Sequence, residues 1–275
     1  MKKRIISVCS AFLILTVCVP LSIFTFGAKA ASSLYAQVLQ RDGFIYGINI
    51  PWFSDASYGR NLSENSRDLK LKTAFDKKQV TKIFRNCNAI GFNCLRIRLF
   101  EQMEGIAFGE NGEITGLYPS FLTNLRTMLE IAKEENVLLD LVVQPSIGKT
   151  LSTALYKADK SEYDFKTQMF VNSAVRDQYI KKVVEPLCEA VRSYPDVVMA
   201  MEPVCQPEND VYEQNGSPYG TSFDNMAAFA GEVTASIRSR LPNIMISMES
   251  AREQVYCYND LDLDIVGVSK YNNTG

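Results

Sequence analysis

Residues 197–210, VVMAMEPVCQPEND, join a carboxylate to the end of an apolar run. The five residues Val197 to Met201 have the composition of a strand buried on both faces, and Glu202 follows directly. Because Pro203 cannot donate a ladder hydrogen bond, we expect the strand to end there, with Glu202 at its carboxyl tip. Ligands bind at such tips in parallel sheets and barrels. A carboxyl group in apolar surroundings there can keep its proton near neutrality and act as a general acid.

Two further strand candidates place charged side chains near Glu202. In CLRIRLF, residues 94–100, side chains alternate, so Arg96 and Arg98 share one face. An arginine among helices would need a buried partner, so we expect both to point inward. Arg96 is then either half of a structural ion pair or a ligand contact. Glu249 lies at the end of the strand candidate NIMISMES, residues 243–250, where its carboxylate can reach the same edge of the sheet as Glu202.

Trp52, the only tryptophan, follows the first strand candidate. An indole at the rim can stack on a neutral, ring-shaped ligand, and Phe53 and Tyr58 would extend that platform. The alternative is that Trp52 closes the hydrophobic core at the rim.

Other acids follow the strand candidates. Glu208, in the loop QPEND, is a second carboxylate that can lie near Glu202. Glu101 and Glu104, after the second strand, are predicted to be solvated rim residues.

The sequence contains no histidine. This absence excludes a Ser-His-Asp triad, a Cys-His dyad and a histidine-ligated zinc site. Any hydrolytic chemistry therefore falls to carboxylates, and we expect no metal and no cofactor.

Strand-like and helix-like segments alternate along the chain, which favours a parallel sheet with helical crossovers. No glycine-rich phosphate motif follows the first strand, so a (β/α)8 barrel is favoured over an open doubly wound sheet. The strand candidates span residues 44–50, 94–100, 137–145, 197–203, 243–250 and 264–271. The helix candidates span residues 76–89, 119–135, 173–193 (kinked at Pro186) and 223–241.

Six strands are fewer than the eight of a closed barrel. We therefore expect a partial barrel, with six βα units present and the last two missing from a truncated chain. An intact six-stranded open sheet is the alternative.

Residues 1–30 have a basic start, a long apolar stretch and a small-residue site, the three parts of a secretory signal peptide. The apolar stretch is also long enough for a membrane anchor, the competing interpretation. Cleavage would leave 275 minus 30, or 245 residues, as one domain, residues 31–275. It would change the formal net charge from −2 to −6 by removing three lysines and one arginine. We thus predict a secreted, monomeric domain that binds neither nucleic acid nor, after cleavage, a membrane.

Cysteine spacing shows no disulfide framework. Cys205 and Cys257 follow two neighbouring strand candidates and are near enough in the predicted sheet to bridge, although free or buried thiols are the favoured interpretation.

Three segments resemble family 5 glycoside hydrolases and related barrel enzymes: GINIPWF, GFNCLRIRLF and AMEP, in that order. The resemblance implies a retaining hydrolase of a β-linked polysaccharide, of glucan or mannan type. It assigns the general acid/base to Glu202, an orienting role to Arg96 and a sugar contact to Tyr271, at the end of the sixth strand. Such an enzyme needs two carboxyl groups about 5–5.5 Å apart.

The sequence departs from that family in three places. Met201 replaces an asparagine before the acid, and Ser269 replaces a histidine two residues before Tyr271. The family's nucleophile belongs to a seventh strand, so it is expected beyond residue 275. These departures leave a non-catalytic, carbohydrate-binding barrel as the alternative. Lys270 suggests Schiff-base chemistry, but it points outward if Ser269 and Tyr271 point in.

Overall fold

The computed structural model describes residues 34–54, 61–63, 75–101, 103–145, 167–211, 221–251 and 260–269. The predicted signal peptide lies outside these ranges. The strands are β1 (Gly47–Asn49), β2 (Cys94–Arg98), β3 (Ile106–Phe108), β4 (Ile114–Leu117), β5 (Leu138–Pro145), β6 (Val198–Cys205), β7 (Met245–Ser250) and β8 (Ile265–Val268). The α-helices with full bounds are α1 (Leu34–Asp42), α2 (Lys77–Ala89), α3 (Pro119–Glu134), α4 (Ser173–Tyr179), α5 (Glu185–Arg192) and α6 (Phe223–Arg240).

Six strands form one parallel sheet in the order β1-β2-β5-β6-β7-β8, which is their order along the chain. A doubly wound sheet reverses its strand order at a switch point, whereas a barrel wall does not. The predicted barrel architecture with six βα units is therefore confirmed, and the doubly wound alternative is wrong. The sheet is a curled, incomplete (β/α)8 barrel within the described residues.

The helices α2, α3, α4, α5 and α6 cover the outer face of the sheet. Side chains of the strands and helices form one large core between these layers, which includes Leu95, Ile97, Leu139 and Leu141. The predicted helix boundaries hold to within two residues; for example, Asp76 caps α2 by accepting from the N–H groups of Lys78 and Gln79.

A second, smaller core lies on the inner face of the sheet. Leu34 and Val38 of α1 pack there against Cys94 and Leu138. The helix α1 was not predicted, because its sequence follows a segment interpreted as a signal peptide. It gives the barrel interior an apolar floor beneath the carboxyl ends of the strands.

The predicted end of the fourth parallel strand at Pro203 is wrong, because β6 continues to Cys205. In β6, Ala200 and Met201 pair with residues of β7, whereas the pairing with β5 continues to Cys205. Pro203 therefore leaves no ladder bond unmade on the β7 side, and the strand passes through it.

The kink predicted at Pro186 appears as a π-helical turn, Ile180–Val184, between α4 and α5. Proline lacks the N–H that would close the preceding helical turn, and the wider turn accommodates this loss. The antiparallel hairpin of β3 and β4 was not predicted. Among the described helices, none has both the length and the apolar composition that crossing a bilayer requires.

Candidate functional site

Arg96 of β2 is the centre of a cluster of acids on the inner face of the sheet. Its Nε and Nη2 donate to Oε2 of Glu202 at 2.9 and 2.5 Å, and Nη2 lies 2.6 Å from Oε2 of Glu249. Leu95 and Ile97, on either side of Arg96, pack in the helix-side core. The prediction that Arg96 points inward is thus confirmed, and so is the expectation that Glu249 reaches the position of Glu202.

Asp140 of β5 is a third acid at this guanidinium. It pairs in register with Arg96, and its Oδ2 lies 3.9 Å from Nε of Arg96. The hydroxyl of Ser247 donates to its Oδ1 at 2.9 Å. Sequence reasoning missed both residues, although one acid inside the apolar strand LLDLVV, beside an inward arginine, was a signal.

A β-bulge decides where Glu202 points. Leu139 pairs with Val198, but Asp140 pairs with Ala200, so β6 carries one extra residue, Met199. Met199 packs on the inner floor, and strict alternation would then turn Glu202 toward the helices. The bulge reverses that parity, and Glu202 faces Arg96.

Glu202 is almost completely enclosed, with 1% of its side chain exposed. Its Oε1 accepts the backbone N–H of Glu249 at 2.8 Å, just past the pair of Met201 with Ile246 that joins β6 to β7. Burial raises the pKa of Glu202 to about 7, and the negative charge of Asp140 adds to that rise. Arg96 and the N–H of Glu249 oppose it. A carboxyl group with this pKa holds a proton that it can donate near neutral pH.

Glu249 is the more accessible of the two glutamates, with 19% of its side chain exposed. One oxygen of Glu249 and one of Glu202 lie within 4.8 Å of each other.

The thiol of Cys205 completes the cluster. Arg96 Nη2 lies 3.0 Å from its Sγ, and the thiol lies 3.5 Å from Oε2 of Glu249. Cys205 is a free, buried cysteine. Cys257, with which a bridge was the less favoured alternative, lies outside the described residues. Burial raises the pKa of this thiol, so it stays protonated and neutral.

Glu202, Cys205 and Glu249 together have ligand atoms that a metal ion could use. Arg96 Nη2 contacts all three, so the guanidinium already supplies the positive charge among them. The arrangement favours proton transfer and hydrogen bonding over metal binding.

A second arginine–carboxylate pair lies next along β2. Arg98 Nη1 donates to Oε1 of Glu101 at 3.0 Å, and the indole Nε1 of Trp52 donates to Oε2 of the same acid at 2.6 Å. Glu101 and Glu104 are both buried, so their prediction as solvated rim residues is wrong. Both carboxylates accept hydrogen bonds from the protein. Glu101 accepts from Arg98 and Trp52, and Glu104 accepts from the N–H of Leu62 at 3.2 Å.

The suggested aromatic platform is smaller than predicted. Phe53 is buried and packs against Phe84, so it does not extend a surface beside Trp52. Trp52 itself is half-buried. Tyr58, Lys270 and Tyr271 lie outside the described residues, and their predicted roles stay predictions.

Glu208 is buried in the turn Pro207–Asp210. Its Oε1 accepts the hydroxyl of Ser250 at 2.7 Å and the N–H of Ala251. These bonds fix the carboxyl end of β7, which carries Glu249.

Comparisons with solved structures show the same fold. The chain is similar to the β-mannanase of the blue mussel Mytilus edulis, at 18% identity and a TM-score of 0.60, over 76% of this chain and 59% of the other. It is also similar to the endo-1,4-β-mannanase of Eisenia fetida, at 19% identity and a TM-score of 0.61, over 77% of this chain and 58% of the other. A third similar structure is a broad-specificity endoglucanase of Clostridium longisporum, at 16% identity and a TM-score of 0.53, over 88% of this chain and 65% of the other.

The chain therefore spans less than two-thirds of the length of these structures. Neither the family models nor the curated protein sequences gave a match.

Proposed function

We propose that this protein is a glycoside hydrolase related to family 5, which cleaves a β-linked polysaccharide of glucan or mannan type with retention of configuration. One observation carries the proposal: Glu202, with a pKa raised to about 7, lies inside a barrel wall against the inward arginine of the second strand. The order of the three resembling segments and the fold shared with β-mannanases and an endoglucanase support it.

In the first step, Glu202 donates its proton to the glycosidic oxygen as the bond to the anomeric carbon breaks. A carboxylate attacks that carbon and forms a glycosyl ester. In the second step, the Glu202 carboxylate removes a proton from water, and the resulting hydroxide displaces the ester. The resemblance assigns the attacking carboxylate to a seventh barrel strand, and six strands of the barrel wall lie within the described residues.

We assign Arg96 to orienting Glu202, through two hydrogen bonds to one carboxylate oxygen. Glu249, partly exposed and 2.6 Å from Arg96, is assigned to accepting a hydrogen bond from a sugar hydroxyl. Trp52, whose indole nitrogen is held by Glu101, is assigned to stacking on a sugar ring. Tyr271 is kept as a further sugar contact from the resemblance.

We also propose that the protein is exported after removal of residues 1–30 and acts as a monomer. The basic start, apolar stretch and small-residue site of that segment support export. Amino-terminal sequencing of the mature protein should find Ala31 first. An uncleaved amino terminus would contradict this part of the proposal.

The test is release of reducing sugar from β-mannan and from β-glucan by a protein that includes the seventh barrel strand to which the resemblance assigns the nucleophile, and by its Glu202→Gln variant. We expect the substitution to lower turnover by about 10³-fold or more, since general acid catalysis is lost. Binding should persist, and Trp52, the only tryptophan, reports it by fluorescence. Glu134→Gln, at an exposed position of α3, is the matched control and should keep full turnover.

Two outcomes would overturn the proposal. Turnover within tenfold of wild type in Glu202→Gln would show that Glu202 is not the proton donor. Binding of polysaccharide by that protein with no release of reducing sugar would instead support a carbohydrate-binding barrel, which Met201 and Ser269 also favour.

A further inference from the structure

We propose that Asp140 is a positioning residue for Glu202: its negative charge beside the shared guanidinium of Arg96 disfavours loss of the Glu202 proton. This inference rests on the proposed function, because it assigns Asp140 a role in the reaction of Glu202. Asp140 accepts a hydrogen bond from Ser247 and lies 3.9 Å from Arg96, so it acts through Arg96 and Glu202.

Among the residues that the structure describes, the charged and titratable groups that face Glu202 come from four neighbouring strands. They are Arg96 from β2, Asp140 from β5, Cys205 from β6 and Glu249 from β7. Arg98 adds positive charge beside the Cys205 thiol. The thiol is neutral, so three carboxyl groups share the positive charge of Arg96.

The contacts of the three acids differ. Glu202 and Glu249 each have an oxygen within 2.6 Å of Arg96 Nη2, whereas the nearest oxygen of Asp140 lies 3.9 Å from Nε. Asp140 therefore adds negative charge while taking only a weak share of the guanidinium. Burial raises the pKa of Asp140, whereas the charge of Arg96 and the hydrogen bond from Ser247 favour its charged form.

An apolar floor strengthens this coupling. Cys94 and Leu138 lie two residues before Arg96 and Asp140 on the same strands, and they belong to the inner core closed by α1. Charges that face a floor of this kind are poorly screened by water. Ionisation of Glu202 beside the carboxylate of Asp140 would place a second negative charge against the same guanidinium.

The primary experiment follows the ionisation of Glu202 directly. The carboxyl carbons of glutamate are labelled with ¹³C in the full chain, the Glu202 signal is assigned by its loss in Glu202→Gln, and its pH titration is recorded. We expect Asp140→Asn to lower the Glu202 midpoint by about one pH unit or more. Ser247→Ala should lower it by less, because Asp140 then ionises less readily. Glu134→Gln, an exposed control, should leave it unchanged.

The same variants are then assayed for hydrolysis between pH 4 and 9. The protonated form of Glu202 is the active acid, so Asp140→Asn should move the basic limb of the profile to lower pH, with about a tenfold loss at pH 8 and little change at pH 5. A merely structural role would lower activity equally at every pH, and that result would overturn the inference.

The titration separates this inference from the proposed function. An unchanged Glu202 midpoint in Asp140→Asn overturns the inference even if the chain is an active hydrolase. If the midpoint shifts but the protein with the seventh strand hydrolyses nothing, the proposed function and the catalytic part of the inference are overturned, while the charge coupling between Asp140 and Glu202 is demonstrated.

Discussion

Two arginines of one strand, Arg96 and Arg98, each hold buried carboxylates, yet their surroundings differ. Arg96 contacts Glu202 and Glu249 closely and Asp140 more distantly. Among the described residues, Arg98 contacts one acid, Glu101, which in turn accepts the indole N–H of Trp52. Within that part of the chain, the inner cluster thus sets three carboxyl groups against one guanidinium, and the outer cluster sets one.

This difference separates two uses of the same ion pair. Where several carboxyl groups compete for one guanidinium in a buried place, one of them keeps a proton that it can transfer. Where one carboxylate meets one guanidinium and a neutral donor, the hydrogen bonds fix a neighbouring side chain. We therefore expect chemistry from the inner cluster and rigidity from the outer cluster.

The largest expected effect comes from removing each arginine in turn. Arg96→Met should lower the free energy of unfolding at pH 7.5 by about 3–5 kcal/mol, because buried carboxylates lose their counter-charge. The loss should be smaller at pH 5, where Glu202 holds its proton. Arg98→Met leaves one acid without its guanidinium partner and should lower the free energy of unfolding by about 1–3 kcal/mol. Urea unfolding at both pH values measures these changes, and equal losses in the two variants would contradict the comparison.

The pH dependence of stability should come mainly from the inner cluster. The pKa of Glu202 is about 7 in the folded chain against 4.5 for an ordinary glutamate, so the folded state holds this proton more tightly. The resulting stability is fully present below about pH 4.5 and is lost as the pH rises through 7. Its size is on the order of 2–3 kcal/mol.

Calorimetric unfolding of the wild-type chain at pH 5 and pH 8 checks this expectation. Asp140→Asn should reduce the decrease in melting temperature between the two pH values, because it removes one of the repelling charges. A decrease that is identical in Asp140→Asn would place the titrating group outside the inner cluster.

The smallest expected effect belongs to the outer cluster. Glu101→Gln removes the charged acceptor of the Trp52 indole and should cost about 1–2 kcal/mol of stability. We expect KM for polysaccharide to rise several-fold with kcat nearly unchanged, because the stacking surface is less well fixed. The fluorescence maximum of Trp52 should shift as well. A loss confined to kcat would place Glu101 in the chemistry and break the division between the two clusters.

Much of the inner site was predictable from residue types and spacing. Period-2 alternation placed Arg96 inward, and the apolar run before Glu202 placed that acid among buried strands. Asp140 carried the same signal in a weaker form, as one acid in an apolar strand. Predicting its partner also required the register of β2 against β5, which local patterns do not contain.

The sequence by itself determined the element types, the strand order of a barrel wall and the reliance on carboxylates in the absence of histidine. The tertiary structure alone decided that Met199 bulges, that Glu202 therefore turns inward, and that three acids share Arg96. The physical reason is the separation along the chain over which each effect acts. Side-chain periodicity and chain breaks act over a few neighbouring residues, whereas register and proton affinity depend on groups that meet only when distant strands pair.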